Sequence, residues 1–278
     1  MIRYLKAIRL LREFRQAEAQ DKPLEKLFEA ERIFNEPVLQ KSFDRFKKSA
    51  VADKVFAADK ELINIQSDRE YLMSLPEGSL GREFLSFMDE NLDFYAGYQY
   101  DMYKNAWADA LEDEEKKRFM SRLFACHDFV HLTVGWSRMI LGEAHAAAFH
   151  STPHQNDSNS FKFLVTVGHI KVLATAKDLK TLWMFIKSIR EAKRLSKKIP
   201  FIATIDWESM MAMPLEEVKK KIGVSEDDIK NYRALQLRYS TVHSDLFKAE
   251  YNELAKKQYE ICSGPNAQEI KSVVATTI

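Results

Sequence analysis

Long runs without a glycine or a proline constrain this chain more than any other feature. It carries 8 glycines and 7 prolines in 278 residues, well under the usage of an average soluble protein. Helix formers fill the space between them, which predicts an all-α chain. Few β-branched runs alternate with the helical ones, so a parallel sheet is not expected. The length suffices for one large domain, or two small ones, with a well-buried core.

The helical pattern has few stops. "PLEKLFEAERIFNE" and "PVLQKSFDRFKKSAVADKVFAADKELI" read as helices on either side of Pro37. Pro76-Glu77-Gly78 reads as a turn, with Ser79 capping a helix through "LGREFLSFMDEN". The aromatic cluster "DFYAGYQYDMY" suits a core or a groove wall. "EDEEKKRFMSRLFACHDFVHLTVG" reads as one long helix whose acidic start complements the helix dipole. "GEAHAAAFHS" is a second helix with its first turn near Gly142, and "STPHQNDSNS" a polar loop. Two apolar helices then run to Pro200. Asp206 and Met213-Pro214 mark further helix starts, and Gly223 a stop. The chain after "CSGP" reads as a loose tail.

Charge excludes one partner class. Lys plus Arg number 42 and Asp plus Glu 41, a net charge of +1, whereas a nucleic-acid binder is usually clearly basic. Cys126 and Cys262 are too few for a disulfide framework. The most apolar run, "FKFLVTVGHIKVLATA", is interrupted by Lys162, His169 and Lys171, so no spanning helix is expected. The start, "MIRYLKAIRLLREFR", has no uncharged central region and reads as no secretory signal. It places Met1, Tyr4, Ile8 and Leu11 on one helical face, with a basic face elsewhere. Such a helix either lies on an anionic membrane surface or packs on a core with its basic side solvated.

The chemistry-bearing stretch is "CHDFVHLTVGWSRMILGE", Cys126 to Glu143. At about 100° per helical residue, His127, Asp128 and His131 share one arc and one turn. Two imidazoles and a carboxylate so placed are plausible ligands of a divalent metal; the alternative is a pair of core histidines. Glu143 would stand about 18 Å from His131 on a straight helix. It can join them only if the chain reverses, and Gly135 and Gly142 offer breaks for that reversal. "HDFVH" departs from the zinc-protease helix, whose second residue is a glutamate base. The His-Asp phosphohydrolases need a further histidine upstream, and all seven histidines here lie at or after position 127.

Taken with its neighbours, this stretch resembles the coenzyme Q biosynthesis protein 4 family. That family is marked by His-Asp-x-x-His, eleven residues, then Glu, matched here by His127, Asp128, His131 and Glu143. "LPEGSLGREFLSFM" is similar to the family's Gly-x-Leu-Gly turn and helix. "IPFIATIDWESMMAMPLEEVKKKIGV" is similar to its segment of a Pro, an Asp-Trp-Glu and a Pro-Leu ending in Gly. The resemblance covers roughly residues 1–225; residues 226–278 form a C-terminal helical extension and tail with no counterpart.

The resemblance implies a single multi-helix domain with an apolar lipid-binding groove and a metal held by all four matched side chains. It implies zinc first, with magnesium or iron as alternatives. It implies a peripheral membrane protein, dimeric, working with other quinone-biosynthesis proteins on prenylated hydroxybenzoate precursors of ubiquinone. Removal of the ring carboxylate, with hydroxylation at that carbon, is the implied reaction, with Glu143 and Asp128 as its carboxylates. A scaffold presenting lipid intermediates to other enzymes is the alternative. The implied place is the bacterial cytoplasmic face or the matrix side of the mitochondrial inner membrane. "FLSFM" and "FLVTV" are expected to line the tail groove. Arg190 and Arg194 lie one turn apart, as an anion contact or a solvated face. Cys126 reads as a small buried residue, and one of His145 and His150 as a partner behind a ligand.

Overall fold

The structure, a computed structural model, describes residues 2–16, 24–90, 111–162, 165–166 and 178–242. The aromatic cluster at 93–103, most of the apolar run after Lys162, and the tail after "CSGP" lie outside the described residues. Among the described residues every regular element is helical: α1 (Ile2–Gln16), α2 (Leu24–Lys47), α3 (Ala50–Ala57), α4 (Leu62–Ser67), α5 (Arg69–Ser74), α6 (Leu80–Glu90), α7 (Glu114–Val134), α8 (Ile140–His150), α9 (Leu179–Lys198), α10 (Leu215–Ile222) and α11 (Lys230–Val242).

Helix α7 is the axis of the molecule. Its start is set by Asp113, whose Oδ1 accepts from the backbone N–H groups of Glu115 and Lys116 at 3.0 and 3.2 Å. Its end is set by Gly135, left-handed at φ 77°, whose N–H returns to the His131 carbonyl. Between them, Phe119, Ala125, Phe129, Val130 and Val134 are buried on all sides. Helices α2, α3, α4, α6 and α8 pack around it. Arg122, 2% exposed, is held inside by the Glu208 carboxylate and the carbonyls of Ala203 and Ile205.

The two flanking signature segments meet here. Leu80 and Gly81 donate to the carbonyls of Met213 and Met211 at 2.8 and 2.9 Å, and Leu215 donates to Gly78 at 2.9 Å. Trp207 stacks on Phe129 with centroids 5.0 Å apart and donates Nε1–H to the Ile202 carbonyl at 3.0 Å. The Asp-Trp-Glu run thus fastens the chain to α7 through an aromatic and a carboxylate.

Some boundaries differ from the sequence reading. Pro37 lies inside α2 and does not end it; beyond it Leu39 and Phe43 pack into the main core, and before it Ala30 and Ile33 pack against Ala7 and Leu10 of α1. Asp206 starts no α-helix: its Oδ1 accepts from the Ser209 N–H at 3.3 Å, beside a short 3-10 turn, Glu208–Met210. On α1 the buried residues are Ala7 and Leu10, while Ile8 is 50% exposed, so the apolar face is rotated from the expected one. Ile229, Tyr232 and Leu235, from the segment beyond 225, join the same core.

Candidate metal centre

Gly135 ends α7 and the chain returns as α8, so the reversal that Glu143 requires is present. The second glycine works differently from a break. Gly142 sits within the first turn of α8, and a Cβ there would lie 1.7 Å from the Ser137 carbonyl oxygen. Glycine lets the returning backbone press against the helix.

That close approach places an acceptor. His131, fully buried, has its Nδ1 3.2 Å from the Trp136 carbonyl and 3.1 Å from that of Ser137. Carbonyl oxygens only accept, so Nδ1 carries a hydrogen, and in the neutral ring Nε2 keeps the lone pair. Tyr232 steadies the same loop: its hydroxyl accepts from the Ser137 N–H at 2.9 Å and donates to Ser137 Oγ at 3.1 Å.

His131 Nε2 faces His127 Nε2 at 3.1 Å. The Glu143 carboxylate closes the triangle, 3.4 Å from His127 Nε2 and 3.5 Å from His131 Nε2. Donor atoms of the three residues all lie within 4.8 Å of one another. Around a four-coordinate ion with ligands at about 2.0–2.1 Å, donors stand about 3.3 Å apart. Two imidazole nitrogens and a carboxylate fit zinc, iron or a similar divalent ion. Lone pairs and a carboxylate converging at the polar end of the cavity, with His131 fully buried and Glu143 half-exposed, favour positive charge among them. Burial opposes protonation of His127, but the hydrogen bond and charge of Glu143 outweigh it and raise its pKa. Burial likewise opposes ionisation of Glu143, yet His131 and His127 hold it well below the usual carboxylate range.

Asp128 is not part of this group. It is 5% exposed, and its Oδ1 lies 3.7 Å from an Arg138 guanidinium nitrogen. Behind His127 stands His150, its Nε2 3.2 Å from His127 Nδ1. Burial and the neighbouring His127 and His131 keep the His150 pKa well below the imidazole range, so it is neutral. His145 belongs to the core: Nδ1 donates to the Leu141 carbonyl at 2.6 Å, and burial pushes its pKa down to about 4. Cys126 is fully buried with its thiol pushed up to about 12 by burial, an inert packing residue. Arg190 and Arg194 are exposed on α9 and do not line the cavity below. His169 and His243 lie outside the described residues.

A cavity of about 250 Å³ opens from the centre. His127, Glu143 and His150 form its polar end, and Leu11, Phe28, Phe34, Val38, Leu123 and Phe124 its apolar walls. These walls come from α1, α2 and α7. "FLSFM" contributes none of them, because Phe84 and Met88 point into the core. "FLVTV" lies largely outside the described residues. Sequence reasoning also missed Glu31, which lines the cavity from α2. Burial raises its pKa to about 7, against the opposing pull of His127. A signal existed: Glu31 falls three residues from both Phe28 and Phe34, on their helical face.

Comparison with known proteins gives consistent results. The model of the family described as Coenzyme Q (ubiquinone) biosynthesis protein Coq4 matches residues 30–228. The Ubiquinone biosynthesis protein COQ4 homolog, mitochondrial, of Mus musculus is 25% identical over 185 residues, 66% of this chain and 64% of that protein. The Talaromyces stipitatus protein, Ubiquinone biosynthesis protein coq4, mitochondrial, is 26% identical over 179 residues, 59% of this chain and 53% of its own. The matches thus span less than two thirds of these relatives' lengths. A crystal structure from Nostoc punctiforme, described as that of a candidate ubiquinone biosynthesis protein, superposes with a TM-score of 0.53 at 17% identity. It covers 80% of this chain and 96% of that one, a likeness of fold.

Proposed function

The chain belongs to the Coq4 family, and from that membership we propose that it binds a divalent metal and a polyprenyl lipid in prenylquinone biosynthesis. Its proposed substrate is a prenylated hydroxybenzoate whose ring carboxylate leaves as carbon dioxide and is replaced by a proton, or by a hydroxyl group where dioxygen serves as the oxidant. The carrying observation is the meeting of His127, His131 and Glu143 at the polar end of an apolar cavity.

His127, His131 and Glu143 are assigned as metal ligands; Asp128, the fourth donor that the family motif implies, faces Arg138 and would join them only by turning away from it. Zinc is the proposed ion. When bound, it would supply Lewis acidity for an anionic head group. The protein's own residues do the rest. His131 keeps its lone pair on Nε2 through the Trp136 and Ser137 carbonyls. The apolar walls on α1, α2 and α7 hold the tail and keep water from the ring. Glu143 and Asp128 are the carboxylates assigned to the chemistry.

The proposed partners are other quinone-biosynthesis proteins, a membrane surface and a second copy of this chain, with residues 226–278 as an extension beyond the shared domain. No described helix is long and apolar enough to cross a membrane, which is compatible with attachment at a bilayer face. By its relatives' names the protein would be mitochondrial in a eukaryote; in a bacterium it would sit on the cytoplasmic side of the membrane.

The test is an assay of carbon dioxide release from a prenylated hydroxybenzoate. Release by wild type and its loss in Glu143→Ala support the enzyme. Tail binding without turnover in wild type would favour a non-catalytic scaffold that presents lipid intermediates.

A further inference from the structure

We infer that His150 is a positioning residue of the metal centre: its Nε2 accepts the His127 Nδ1–H and so directs the His127 Nε2 lone pair at His131 and Glu143. The inference rests on the metal reading above and adds a residue that the four-residue motif does not contain.

The argument is one of tautomers. His127 has its two nitrogens committed to opposite sides. Nε2 stands 3.1 Å from His131 Nε2 and 3.4 Å from Glu143, while Nδ1 stands 3.2 Å from His150 Nε2. A neutral imidazole carries one hydrogen. For Nε2 to ligate, that hydrogen must be on Nδ1, and His150 Nε2 must accept it. The opposite arrangement, with His150 donating, moves the His127 hydrogen to Nε2 and blocks the ligand position.

The His150 ring is held for this task. It is 1% exposed and stacks on Phe161 with centroids 5.1 Å apart and planes 28° apart. The same Phe161 stacks on His127 at 5.9 Å and 9°, so one phenyl ring aligns both imidazoles. His131 is oriented by backbone carbonyls, of Trp136 and Ser137. His127 depends on a side chain, which makes the role testable.

The acceptor role also fixes the far nitrogen. His150 Nδ1 must then carry a hydrogen, and it is buried without a hydrogen-bond partner among the described residues.

The experiment measures Zn²⁺ affinity, by competition with a chromophoric chelator, in wild type, His150→Phe and His150→Gln. Phenylalanine keeps the stack and removes the acceptor; glutamine restores an acceptor near Nε2. We expect a weakening of about 10- to 100-fold in His150→Phe and recovery of most of it in His150→Gln. Wild-type affinity in a folded His150→Phe overturns the assignment alone. Wild-type protein that takes up no zinc overturns the metal reading and the assignment together. The tautomer is also readable without any variant, by ¹⁵N NMR of the zinc-loaded wild type. A His150 hydrogen on Nδ1 is expected, and one on Nε2 overturns the inference.

Discussion

Gly142 and Ser137 are in such close apposition that a Cβ on the glycine would fall 1.7 Å from the serine carbonyl oxygen, the oxygen that accepts from His131 Nδ1 at 3.1 Å. Backbone, unlike a flexible side chain, yields little. Gly142→Ala is therefore expected to cost about 1–3 kcal/mol of stability, the usual penalty of overpacking. It should also move the Ser137 carbonyl away from His131 and lower metal affinity. Thermal melts of metal-free protein and zinc titrations read the two effects separately. A variant with wild-type melting and wild-type affinity would show that the loop has another way to settle.

The three gathered donors predict one bound divalent ion per chain. His131→Ala removes a buried nitrogen from the middle of the triangle and is expected to abolish stoichiometric uptake. Asp128→Ala is expected to bind one ion more weakly, since the carboxylate lies against Arg138 rather than within the group. Elemental analysis after dialysis against zinc compares the three proteins. Equal, substoichiometric metal in wild type and His131→Ala would sink the site.

What was legible in the sequence followed from short-range geometry. The acidic start of α7, the cap at Gly135 and the reversal demanded by Glu143 all depend on residues within one or two turns of each other. The four-residue motif was readable only through the resemblance to the family. What was not legible depends on distant packing. The sequence narrowed the residue behind a ligand to His145 or His150, but the choice of His150, and of His127 as its partner, depends on how α7 and α8 lie side by side. The tail groove was expected along "FLSFM" and "FLVTV"; the first fills the core through Phe84 and Met88, and the second lies largely outside the described residues. Gly142 was read as a break, since sequence alone does not tell a glycine that turns from one that admits a neighbouring carbonyl.

Glu31 predicts a pH dependence of stability. Burial raises its folded pKa to about 7 from an ordinary value near 4.5. Between those values the folded state holds the proton more tightly than the unfolded chain. Stability is therefore lost as pH rises through that window, and the loss is complete above the folded pKa. Glu31→Gln carries no such charge. In urea unfolding of metal-free protein the two should match near pH 5. Near pH 8 the variant should be more stable by about 1–3 kcal/mol. Parallel pH profiles would mean that the carboxyl is solvated through the cavity.

Val38 offers a way to separate tail binding from metal binding. It lines the apolar wall contributed by α2, while the ligand nitrogens belong to α7. An indole at this position has the cavity to enter, so Val38→Trp should block the tail and leave the donor triangle intact. The measurement is mass spectrometry of small molecules extracted from the purified proteins, alongside zinc content. We expect an isoprenoid with wild type, its loss in Val38→Trp, and one zinc in both. Equal isoprenoid in the two proteins would move the lipid elsewhere on the molecule. Loss of zinc together with the lipid would mean that the wall and the metal centre do not act as separate parts.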